Sequence, residues 1–85
     1  MDKQQWVKAA YETLIKVATS YEEFTPDEIW AAGLEKPPEA RALGSVMRRA
    51  KDEGLIEKTG RVRPTKQPES HGTDVTIWKS NIYGR

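Results

Sequence analysis

The spacing of the apolar residues changes once along this chain, at Gly54, and that change limits the fold more than any other feature. Before Gly54, apolar residues recur every three or four positions, as a helix buried along one side requires. Trp6, Ala10, Leu14, Val17 and Ala18 form the first such stripe, widened by Val7 and Tyr11, and predict a helix over residues 3–20. Leu43, Val46, Met47 and Ala50 form another and predict a helix over 38–53, with Gly54 as its left-handed stop. Beyond Gly54 the pattern is Leu55, Ile56 and Val62, then the β-branched and aromatic run Val75, Thr76, Ile77 and Trp78. Such β-branched and aromatic segments read as strands, the first interrupted by a bulge near Thr59-Gly60. The chain is therefore expected to be α+β, mainly α with a small β-hairpin.

Between the two long stripes lies a short, strongly punctuated helix. Thr25 and Glu28 are spaced as a capping box, in which each side chain bonds the other's free backbone N–H. Pro26 falls at the first helical position, where a missing N–H costs nothing. Phe24 and Ile29 stand where a hydrophobic staple needs them, and Gly33 supplies the stop with Leu34 folding back on Ile29. Start and stop leave room for about two turns. Pro37 and Pro38 then prevent the chain from running on as one helix.

Composition narrows the function. At 85 residues the chain is one small domain, expected over residues 1–80 with a frayed tail at 81–85. It has no cysteine and one histidine, so disulfides, thiol nucleophiles and clustered metal ligands are not expected. No apolar run suggests a membrane span and no leader pattern is visible; a cytoplasmic protein is expected. Glu69, Ser70 and His71 are neighbours in a turn-rich stretch, which does not hold a base against a nucleophile, so neither an enzyme nor a small-molecule substrate or cofactor is expected. The net charge of +1 conceals an asymmetry. Residues 1–40 carry four lysines against eight acids, net −4, and residues 41–85 carry ten Lys and Arg against five acids, net +5. A basic half suggests an anionic partner.

Three helices followed by a hairpin is the order of a winged helix-turn-helix, three helices plus a two- or three-stranded wing sheet. A hairpin alone is marginal in water, so it must pack on the helices, with Val75, Ile77 and Trp78 meeting Trp6 and Trp30. The stretch from Ala42 to Ala50, with Gly54-Leu55-Ile56, resembles the recognition helix and following strand of that class. With Pro68 to Gly72 and the Val75 to Trp78 strand added, the chain resembles small winged helix-turn-helix proteins of bacteriophages and prophages, over residues 24–79. The resemblance implies double-stranded-DNA binding in the control of phage transcription, replication or excision.

In that arrangement the helix over 38–53 enters the major groove. Arg41, Ser45 and Arg48 are spaced to share an outward stripe and would meet base edges, with Arg49 and Lys51 on phosphates. In the wing, Arg61, Arg63 and Lys66 would touch phosphates or a minor groove, and His71 would donate to a phosphate. The plainer reading of both elements is a solvated charged surface. A homodimer, or a second protein bound alongside, would compensate for the modest charge of one copy. Glu22, Glu23, Asp27, Glu28 and Glu35 would repel phosphate if they faced it, and read either as plain solvated acids or as a separate surface for a basic protein. The alternative function is accordingly a winged-helix protein-interaction module, an assembly or regulatory adaptor that does not bind DNA.

Overall fold

The computed structural model describes residues 2–37, 39, 42–66 and 73–85. Helix α1 (Lys3–Ser20) starts at Asp2, whose carboxylate accepts the Gln5 N–H at 2.8 Å. It buries Trp6, Ala10, Leu14, Val17 and Ala18, the five residues of the expected stripe. Helix α2 (Pro26–Ala31) has Pro26 in its first turn and the full capping box between Thr25 and Glu28. Gly33, at φ 102°, closes it with an N–H to the Trp30 carbonyl at 3.0 Å.

Helix α3 (Ala42–Asp52) buries Leu43, Val46, Met47 and Ala50. Its end is a Schellman motif: Gly54, at φ 80°, donates to the Lys51 carbonyl and Leu55 to that of Ala50, both at 3.0 Å. The expectation that this helix begins at Pro38 falls on a residue outside those described.

The sheet has three antiparallel strands, β1 (Glu23–Phe24), β2 (Ile56–Pro64) and β3 (Asp74–Ser80), in the order β1-β3-β2. Three strands is one of the two expected counts, but the sequence does not place a strand at Glu23–Phe24. Phe24 was read as a staple, and it is also a strand residue opposite Trp78. The register of β2 on β3 shifts between Lys58 and Val62, with Gly60 at φ 82°, which places the anticipated irregularity at Thr59-Gly60.

Side chains alternate along a strand, and directly opposed residues share a face. The front of the sheet is therefore Phe24, Ile56, Trp78 and Ser80, all buried, continued past the helices by Lys58, Thr76 and Asp74. The back carries Glu23, Glu57, Lys79, Val75 and Arg63. The core joins α1, α2 and α3 to the front, with Trp6, Phe24, Ile29, Ile56 and Trp78 in one cluster and Trp30 packed at its margin. Trp6 also donates its indole N–H to the Glu35 carbonyl at 2.6 Å, which ties the segment after α2 to α1.

The C-terminal residues, expected to fray, are docked. Asn81 donates its backbone N–H to Leu55 at 2.9 Å and its side-chain amide to Gly54 at 3.0 Å. Gly84 N–H reaches the Thr19 carbonyl at 3.0 Å, and Ile82 packs against the core. These bonds are to α1 and to the end of α3, elements distant in sequence. No helix of the described residues is long and apolar enough to cross a membrane.

Candidate functional site

An open groove of about 690 Å3 runs between α3 and the front of the hairpin. Leu43, Gly44, Met47, Arg48 and Lys51 line it from α3, with Lys58, Trp78 and residues 74–76 opposite and Pro26 and Trp30 from α2. The spacing of the α3 set follows from the helix: these positions lie on the flank that turns from the core toward β2 and β3. A Cβ at Gly44 would meet nothing within 4 Å, so no neighbouring element fills the space above it.

The groove is cationic at its rim and apolar on its floor. Arg48, Lys51 and Lys58 are exposed, and among the described residues no carboxylate pairs with any of them. The Lys58 ammonium lies 5.9 Å from the centre of the Trp78 ring, its cross-strand neighbour. Asp74 is the acid in the lining. Three cations that border one groove from both sides, with no carboxylate paired to them among the described residues, make a surface ready to accept an anion.

The remaining basic residues are placed differently. Arg49 turns to the other side of α3, with its guanidinium 4.3 Å from the centre of the Tyr11 ring and 3.7 Å from the Glu53 carboxylate. Tyr11 donates its hydroxyl to the same carboxylate. That hydrogen bond, with burial and the Glu53 charge, raises the phenol pKa above its usual value, and the Arg49 charge only partly opposes it. Arg49 thus joins α3 to α1. Ser45 is exposed on α3 but does not line the groove.

Arg63 lies on the back of the hairpin, and Arg61 reaches the same side. Arg61 pairs with Glu23 of β1, and Arg63 with Glu28 of α2. Both were expected to be free for phosphates, and both have carboxylate partners instead. Lys66 keeps an exposed side chain, while its backbone N–H donates to Asp27 at 2.8 Å. Asp27 is buried and accepts a second bond from the Thr65 hydroxyl, also at 2.8 Å. Burial works to raise the pKa of Glu28, but hydrogen bonds from the Thr25 hydroxyl and N–H and from Arg63 outweigh it and hold the carboxyl below its usual value. Glu23, Asp27 and Glu28 therefore fasten β2 and its outer end to β1 and α2. Arg41 and His71, the other two expected contacts, lie outside the described residues.

The sequence reading did not select Lys58, Trp30 or Trp78 as site residues. A signal for Lys58 was present: it stands two positions beyond buried Ile56, and so on the same face of its strand. Among the described residues no group of three or more His, Asp or Glu is placed to hold a metal ion. Comparison of the chain with protein-family models, with curated proteins and with solved structures gave no match.

Proposed function

We propose that the protein is a winged helix-turn-helix that binds double-stranded DNA, with α3 in the major groove and the hairpin on phosphates. The order α1-β1-α2-α3-β2-β3 and the central position of β3 support this reading. The observation that carries it is the groove bordered by Arg48, Lys51 and Lys58, cations from two facing elements that pair with no carboxylate among the described residues. Arg48 is the side chain assigned to base edges, since arginine can bond guanine O6 and N7 together. Lys51, Lys58 and Lys66 set the docking through phosphates. The setting is cytoplasmic, in control of phage or prophage transcription, replication or excision, with a dimer or a second protein adding contacts. Selection from random duplexes followed by mobility shift tests it. A recovered motif, bound at low salt and released steeply as salt rises, is expected. No shift at low salt and no recovered motif would remove the reading.

One observation favours the alternative, a winged-helix module that docks on another protein. The groove floor is Trp30, Leu43, Met47 and Trp78, and protein–DNA interfaces are too polar to use so apolar a floor fully.

A further inference from the structure

The apolar floor and an incomplete sheet edge meet in the same groove. On its outer side β3 pairs with β1 only at Lys79 and Trp78. Ser80 donates its N–H to Glu22 on that side, at 2.8 Å. Backbone groups alternate in direction along an antiparallel strand, so the N–H and C=O of Trp78, Thr76 and Asp74 point the same way as those of Ser80. The opposite edge is occupied by β2, as the Thr65 N–H bond to the Thr73 carbonyl at 3.0 Å confirms. Past Phe24 the chain turns into α2 at Pro26, so among the described residues no strand continues alongside Thr76 and Asp74. These two residues line the groove.

We infer that the groove takes an extended acidic peptide from a partner protein, added as a strand along the outer edge of β3. The inference rests on the second reading, docking on a protein, and gives that partner a chemistry. Main-chain bonds to Thr76 and Asp74 provide the β-addition. One apolar side chain of the peptide covers Trp30, Met47 and Trp78. Carboxylates beside it meet Arg48, Lys51 and Lys58, which supply the charge complementarity. Asp74 leaves one end of the slot unfavourable to acids, so the carboxylates of the peptide gather toward Lys58 and α3. A nucleic acid would use the cations but has no peptide groups to offer the strand edge. Because Arg48 and Lys51 serve both ligands, peptide and duplex exclude one another.

The test pans a displayed library of random dodecapeptides against the full chain, and measures binding of the synthesised winners by fluorescence anisotropy. Winners rich in Asp and Glu around an apolar residue are expected. Their affinity should fall about tenfold or more in Lys58→Glu, an exposed change that spares the core, and stay within about twofold in Lys66→Ala. Thr76→Pro should abolish binding by removing the edge N–H without touching the β2 ladder. Amide NMR shifts on peptide addition should centre on residues 74–78. Peptides with no acidic bias, binding indifferent to Lys58→Glu, or shifts centred elsewhere would overturn the inference. So would a groove that binds only labelled oligothymidylate or duplex and no peptide, a result that leaves the DNA reading intact. Peptide binding without any duplex binding would do the reverse.

Discussion

The hairpin has basic residues on both faces, and the two faces use them in opposite ways. On the back, Arg61 and Arg63 meet Glu23 and Glu28, and the outer end of β2 is held by buried Asp27. On the front, Lys58 faces Arg48 and Lys51 across a groove, and among the described residues no carboxylate pairs with any of them. The two back arginines hold β2 to β1 and to α2, and the front cations stay available. A basic residue is therefore informative about a partner only once its distance to the nearest acid in space is known. Arg63 and Glu28 are 35 residues apart in sequence, and their pairing is a product of the fold.

The largest expected effect comes from the side chain on which both faces depend. Trp78 is buried between Phe24 and Lys58, so Trp78→Ala should cost about 3–5 kcal/mol through an unfilled core. Thermal unfolding should show a fall on the order of 15–30 °C, and an unchanged melting temperature would mean that the hairpin does not pack as described. Next is Asp27→Ala, which removes the acceptor of the Lys66 N–H and one partner of the Thr65 hydroxyl. Urea unfolding should register a loss of about 1–3 kcal/mol, and amide exchange should quicken at Lys66. If exchange there does not change, the back face is not fastened through Asp27.

The helices and the turn chemistry were legible in the sequence because their signals are local. The α1 stripe, the Thr25–Glu28 box and the Gly33 and Gly54 stops each involve residues a few positions apart. What could not be read was nonlocal. Strand β1 has only one apolar residue, and it exists because Trp78 lies opposite. The tail is ordered by Thr19, Gly54 and Leu55, none of them near it in sequence. Of the groove residues, helix spacing singles out Arg48, and Lys51 follows as a basic residue of the same helix, while Ser45 from the same stripe does not line the groove. The Glu53 partner of Arg49 stands four positions on, at a spacing the sequence already shows. Arg61 and Arg63 look equally available as letters, and only the fold gives each a carboxylate. The acids of α2 looked like a surface for the same reason.

A comparison of single arginines on duplex affinity would sharpen the contrast between the faces. Arg48→Ala should cost about 1–3 kcal/mol at one base position of a selected site, while Lys66→Ala should weaken all sequences alike and reduce the salt slope by about one. Arg63→Ala should leave affinity nearly unchanged. An Arg63 effect as large as that of Arg48 would show the back face releasing its arginine to DNA. The back should also be the acid-sensitive face. Glu28 has its pKa lowered in the folded state, so its contribution is present above the unfolded value of 4.5 and is lost as pH falls through the lower folded value. Glu28→Gln should flatten that part of the stability curve below pH 4.5, and a curve of unchanged shape would deny the carboxylate this role.

The smallest effect belongs to Arg61 and Glu23, whose side chains are 58% and 42% exposed. A pair so open to water is screened, and holding two long side chains in one geometry offsets most of the attraction. A double-mutant cycle should give a coupling of about 0.2–1 kcal/mol, decreasing with added salt. The pair's weakness matters to the contrast between faces, because a phosphate could replace Glu23 at little cost. If Arg61 is held only this loosely, Glu23→Gln should raise duplex affinity slightly by freeing a cation beside the groove-bearing hairpin. If Glu23→Gln leaves affinity unchanged while Lys58→Glu reduces it, position on the back of the sheet, and not the carboxylate, is what keeps Arg61 from the DNA.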